Sequence, residues 1–199
     1  MNIIRDATEA EMVFAFLKAE IGSDRFGDHV RSCLQDLNLL NEPDLGDEEA
    51  NRKRSEALGC YRGYGRNAHL FEGFPSEVEW KLASVTVEEL GAFRYARVPP
   101  WTTESGQALS VRDGAQDLET KPDAREKATV LDIEHALQTH SLTVGQFEPV
   151  IAAAEGVESI HVLVEGHSRA TAYVRALRPE KTIEIIAGYV ADLKRWRWL

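Results

Sequence analysis

The sequence lacks a run of the ~18 apolar residues that a membrane-spanning helix needs. Its first residues, Met-Asn-Ile-Ile-Arg-Asp, have no apolar core of the kind a secretion signal carries, so the expected location is the cytoplasm, with no membrane partner. Cysteine is scarce. Cys33 and Cys60 are too few and too far apart in sequence for a disulfide framework or a zinc site. Cys33 falls on an apolar helical stripe and is expected to be a buried structural thiol; Cys60, between Gly59 and Tyr61, has a reactive thiol as its alternative reading. Positive charge is also in short supply: 23 Lys and Arg against 33 Asp and Glu give a net charge of −10. That balance argues against a protein that coats nucleic acid over a broad surface.

What positive charge there is gathers at Arg52-Lys53-Arg54 and at Lys194-Arg195-Trp196-Arg197-Trp198. The second cluster interleaves cations with aromatics, as a single-strand stacking surface does. The preferred reading is a terminal helix over 191–199 that packs its tryptophans.

The chain length of 199 residues suits one good-sized domain, or a domain with an extension. Residues 1 to about 60 read as helical. Thr8 and Glu11 have capping-box spacing ahead of Met12, Val13, Phe16 and Leu17, and Gly22 is the stop. Phe26, Val30, Cys33, Leu34 and Leu37 repeat at helical spacing, and Asn41–Glu49 reads as an acidic loop. Tyr61-Arg62-Gly63-Tyr64-Gly65-Arg66-Asn67 is glycine-rich but lacks the Lys-Ser/Thr of a phosphate loop, and reads as a sharp connection. No catalytic constellation is visible up to this point.

From about Glu77 the periodicity changes to that of strands. Val78, Trp80 and Leu82 alternate with charged residues, Thr86 and Glu89 cap a short helix, and Phe93–Val98 alternates again. Residues 101–124 form a long polar connection, the kind that tends to carry function. A helix over 124–139, strands at 149–153, 160–164 and 183–187, and a helix over 168–176 complete an α/β pattern. The expected organisation is a helical N-terminal extension over 1–76 and an α/β (α+β) domain over 77–199.

The chemistry concentrates at Glu165-Gly166-His167-Ser168-Arg169. A buried strand leads into a turn at Gly166, where backbone angles closed to other residues are open. The helix that follows directs its unpaired N–H groups at the turn, a ready anion site. Arg169, in the first helical turn, can return to an oxyanion with a bidentate fork. Glu165 and His167 supply an acid, a base, or ligands for a divalent metal at the same point.

The segments Gln146-Phe147-Glu148-Pro149-Val150-Ile151 and His161-Val162-Leu163-Val164-Glu165-Gly166-His167-Ser168-Arg169-Ala170-Thr171-Ala172-Tyr173 resemble the core of the ParB/sulfiredoxin superfamily, over roughly residues 77–199. The resemblance implies a small mixed sheet with flanking helices and a box, Gly166, His167, Ser168 and Arg169, that binds nucleotide phosphates with a metal. His167 stands where sulfiredoxins have their catalytic cysteine, so sulfinic acid reduction is not implied. The box is closest to the Asp-Gly-His-Thr-Arg of the serine-kinase-like branch, which takes its base from the loop after its first strand; Glu104 is the corresponding candidate here. The functional expectation is an ATP-dependent phosphohydrolase or phosphotransferase with Mg2+, in which Glu165, His167 and Glu104 are catalytic, Glu165 and His167 hold the metal, and Arg94 and Arg97 add charge across the cleft. The alternatives are a metal-dependent DNA nuclease on the same fold, as the plasmid ATPase/nuclease branch implies, and a non-catalytic protein that binds a protein partner through its N-terminal helices.

Overall fold

The computed structural model describes residues 1–41, 43–99, 101–102, 106–120 and 124–199. Among them the chain forms one mixed sheet of six strands with helices on both faces. In chain order the elements are β1 (Asn2–Asp6), α1 (Glu9–Ile21), α2 (Gly27–Leu34), α3 (Asn38–Asn41), α4 (Glu48–Arg62), β2 (Glu79–Thr86), α5 (Val87–Ala92), β3 (Arg94–Tyr95), α6 (Val111–Gln116), α7 (Ala124–Gln138), β4 (Val150–Ala154), β5 (Val162–Glu165), α8 (His167–Ala176) and β6 (Thr182–Tyr189). The sheet order is β1-β2-β6-β4-β5-β3. Strands β4 and β6 pair in parallel, as do β3 and β5; the remaining neighbours are antiparallel.

Alternation along the central strands explains both layers. Val150 and Ala152 of β4, Leu163 of β5 and Ile185 of β6 face a core shared with Ala170 and Tyr173 of α8, Val130 of α7 and Val111 of α6. Ile151, Ala153, Val162, Val164 and Ile186 face the opposite way, onto Met12, Phe16 and Leu17 of α1 and Leu58 of α4. A strand buried on both faces reads as an unbroken apolar run, and β4, Val-Ile-Ala-Ala-Ala, is buried at every position. Residues 1–76 thus furnish an edge strand and the helical layer over the second face of the sheet.

Both capping boxes form: Thr8 with Glu11 opens α1 and Thr86 with Glu89 opens α5, each satisfying two otherwise orphaned N–H groups. Gly63, at φ 82°, ends α4 in the left-handed region, and an added Cβ would lie 1.9 Å from the Ala68 carbonyl oxygen.

Four expectations need correction. Residues 2–6 are a strand, not helix: they pair with β2 as an exposed edge, held by backbone bonding that no side-chain period announces. The connection over 101–124 contains α6, capped by Ser110 donating to and accepting from Asp113, and a 3-10 turn over Asp117–Thr120. Residues 191–199 form turns in place of a terminal helix, because Trp196 and Trp198 direct their indole N–H groups to the carbonyls of Leu70 and His69. Cys33 and Cys60 are joined as a disulfide between α2 and α4, with Cα atoms 6.0 Å apart. Helix packing brings together two residues 27 apart in sequence, which spacing alone does not reveal.

Candidate functional site

Strand β5 ends at Glu165 and α8 begins at His167, so Gly166 alone makes the turn. Its φ of 89° lies in the left-handed region. A Cβ there would also lie 3.0 Å from Arg169 Nη2 and 3.1 Å from Val150 Cγ2, so glycine is required twice, by backbone angle and by close approach. No side chain caps the start of α8. Its first N–H groups and the positive end of its dipole therefore face the turn.

Arg169 folds back over this turn and forms an ion pair with Glu165. Both side chains are largely buried, at 11% and 15% exposure. The guanidinium is not saturated: Arg169 Nε is buried with no hydrogen-bond partner, and so is His167 Nε2. Burial pushes the Glu165 carboxyl up; Arg169 and Arg62 oppose this, and Glu20 adds to it. Burial drives the His167 imidazole down to about 3, helped by the cations Arg62, Arg169 and Arg25. At neutral pH His167 is an uncharged ring, lying 5.7 Å from the Tyr95 ring and 5.9 Å from that of Trp101. The Ser168 hydroxyl donates to Glu126 on α7 at 2.9 Å, and Glu126 also pairs with Arg25 at 3.2 Å.

The N-terminal helices complete the cluster. Glu20, at the end of α1, is 4% exposed. It accepts from the Tyr61 hydroxyl at 2.6 Å and pairs with Arg62 at the end of α4. Two buried acid–arginine pairs, Glu165–Arg169 and Glu20–Arg62, thus lie close enough for each to alter the other's ionisation. Such pairing is what allows charge to persist away from water.

The structure brings Glu165, Gly166, His167, Ser168 and Arg169 together as the sequence spacing requires. Arg94 and Arg97 are exposed. Glu104 lies outside the described residues. Glu20, Tyr61 and Arg62 come from a segment whose sequence shows no catalytic pattern. One signal was present: Glu20 continues the stripe Met12-Val13-Phe16-Leu17, and a carboxylate on a buried stripe demands a partner. Among the described residues no three His, Cys, Asp or Glu side chains gather where they could hold a metal ion.

Fold and site together define a mixed α/β protein with a charged, partly unsatisfied strand–turn–helix whose ion pair is electrostatically coupled to the N-terminal helical layer. No protein family's profile matches the chain, and no curated protein or solved structure compared with it is significantly similar. No helix among the described residues is long and apolar enough to cross a membrane.

Proposed function

We propose that the Gly166 turn holds the phosphates of a nucleoside triphosphate, ATP in the first instance, and that the protein is a nucleotide-dependent phosphohydrolase or phosphotransferase of ParB/sulfiredoxin-like fold. The observation that carries this reading is Arg169, a buried arginine with an unpartnered Nε at the uncapped N-terminus of α8. A buried donor on a cation is costly to leave unpaired, and a phosphate satisfies it together with the helix N–H groups. On binding, Arg169 exchanges its carboxylate partner Glu165 for a phosphate oxygen, and the released Glu165 lies beside the reacting group. His167, held neutral, serves as a hydrogen-bonding group or ligand; its affinity for a proton is too low for a general base.

Phosphoryl transfer asks chiefly for positioning and charge neutralisation. Glu165 and His167 do not by themselves compose a metal centre, since among the described residues no third His, Cys, Asp or Glu side chain joins them. Mg2+ therefore enters this reading on the triphosphate, where it keeps much of its water and neutralises charge.

The nuclease alternative drew its support from Lys194–Trp198, where Trp196 is only 2% exposed and unavailable for stacking on a base. A non-catalytic nucleotide-binding protein differs from the first reading in turnover alone.

The test is thermal unfolding with ATP, CTP, GTP and ADP, with and without Mg2+, followed by phosphate release. Ligand binding to the folded state at 100 times Kd adds ~2.7 kcal/mol of stability. If none of the four nucleotides raises the unfolding temperature or produces heat in a calorimeter, the reading is wrong.

A further inference from the structure

A groove of about 800 Å3 opens between the segment leading from α7 to β4, the outer end of α8 and the start of β6. Its apolar surface comes from Leu137, Phe147, Tyr173 and Leu177, while Lys181 and Glu184 supply charge. The Phe147 and Tyr173 rings meet edge to face, with centroids 6.1 Å apart. This size suits a small organic ligand, and Ser84, Thr143, Gln146 and Thr182 offer it polar groups beside the apolar ones.

The groove and the turn draw on the same two elements, α8 and the segment entering β4. Tyr173 stands one helical turn beyond Arg169 on α8, and Arg169 influences its ionisation. Glu148, which also lines the groove, is one residue from Pro149 and two from Val150, whose side chain packs against Gly166. Among the described residues Glu148 accepts no hydrogen bond and makes no ion pair. Among the described residues the cations Arg169 of α8 and Lys18 of α1 lie near enough to act on its charge. An unengaged carboxylate thus lines the groove within electrostatic reach of Arg169.

We propose that this groove admits the phosphoryl acceptor, a hydroxyl-bearing small molecule with an apolar body, and that Glu148 takes the proton of that hydroxyl. The proposal rests on the nucleotide reading above. In the step, the acceptor oxygen forms a bond to the γ-phosphorus as the bond from that phosphorus to the β–γ bridging oxygen breaks. The hydroxyl proton passes to the Glu148 carboxylate and then to solvent, and a nucleoside diphosphate leaves. Burial pushes Glu148 up against the pull of Arg169 and Lys18, which moves a carboxylate toward the range useful to a base at neutral pH. Glu148 takes the part that the sequence resemblance assigned to Glu104.

Benzyl alcohol is the probe acceptor, since it joins an aromatic body to a primary hydroxyl. Two variants of the full chain accompany it. Glu148→Gln removes the base without changing shape. Gly145→Trp adds bulk to the groove wall at a position where an added Cβ meets nothing within 4 Å. The expected result is benzyl phosphate formation from ATP by the wild type. Glu148→Gln should keep ATP affinity by calorimetry within about twofold yet lose at least ~100-fold in transfer, together with the acidic limb of the pH–rate profile. Gly145→Trp should also bind ATP and lose transfer. Transfer by Glu148→Gln at the wild-type rate, or ATP binding by the wild type with no benzyl phosphate formed, overturns the groove proposal and leaves the nucleotide reading standing. Failure of the wild type to bind ATP overturns both.

Discussion

Glu165 and Arg169 face each other across Gly166, the last residue of β5 paired with a residue in the first turn of α8, and both are shielded from water. The pair is at once a structural clasp and the gate of the proposed site. Arg169→Ala leaves the Glu165 carboxylate buried without its nearest cation, and stability should fall by ~3–5 kcal/mol. Glu165→Gln combined with Arg169→Gln removes both charges and should recover a large part of that loss. Urea unfolding followed by tryptophan fluorescence measures the difference. Equal stability of the single and double variants would show that the pair does not act as a clasp.

The His167 ring sets a pH dependence. Its folded-state affinity for a proton is depressed from 6.5 to about 3 by burial and by Arg62, Arg169 and Arg25. As pH falls below about 6.5 the unfolded chain takes up this proton and the folded chain does not. The stability His167 contributes is therefore complete above pH 6.5 and is lost progressively down to about pH 3, with a slope of at most ~1.4 kcal/mol per pH unit. His167→Gln should flatten the acid side of the stability profile by that slope. An unchanged profile in a folded His167→Gln protein would mean that the ring titrates normally.

The Cys33–Cys60 link ties α2 to α4, the helix that supplies Tyr61 and Arg62 to the cluster. The native protein should show no titratable thiol and an intact mass two hydrogens below that of the reduced chain. Closing a loop over the sequence separation of 27 stabilises by ~3.5 kcal/mol on the chain-entropy estimate. Cys33→Ser should lower the unfolding free energy by about that amount. Two reactive thiols in the untreated native protein would show that the bond is absent.

The parts of this protein legible in its sequence are those governed by local rules. Thr8, Glu11, Thr86 and Glu89 announce two helix starts because a capping box lies within four residues. Gly166 and Arg169 announce the turn because their roles need only the strand before and the helix after. What stayed hidden depends on tertiary contact. The edge strand β1 has no apolar alternation, since all five of its residues are exposed. Glu20 and Arg62 reach Glu165 only after α1 and α4 pack on the second face of the sheet. Glu148 gains meaning only from the groove that tertiary packing forms around it.

The C-terminal segment carries the last prediction, and it separates packing from nucleic-acid binding. Trp196 is 2% exposed, meets the Phe74 ring edge to face at 5.2 Å, and donates its indole N–H to the Leu70 carbonyl at 2.7 Å. Gly73 is held at φ 75°, where an added Cβ would lie 1.9 Å from the Arg195 carbonyl oxygen, so the two backbones are in contact. Arg197 pairs with Glu72, and its N–H bonds to the Glu72 carbonyl at 3.0 Å. The segment therefore binds its own N-terminal layer, and its cations are partly neutralised there. Trp196→Ala should lower stability by ~3–5 kcal/mol, as expected for emptying a buried indole site. Truncation after Asp192 should lower it further, with faster amide exchange across α1 and α4, whose Phe16 and Leu58 share the same core cluster. A single-strand binding surface would behave in the opposite way. Truncation would leave stability nearly unchanged and would abolish an affinity for single-stranded DNA that falls steeply with salt. With a net charge of −10 and Trp196 turned inward, the expected outcome is loss of stability and no DNA affinity at moderate salt in either form. Salt-dependent binding by the full chain that vanishes on truncation would reverse this assignment and move the nuclease reading to first place.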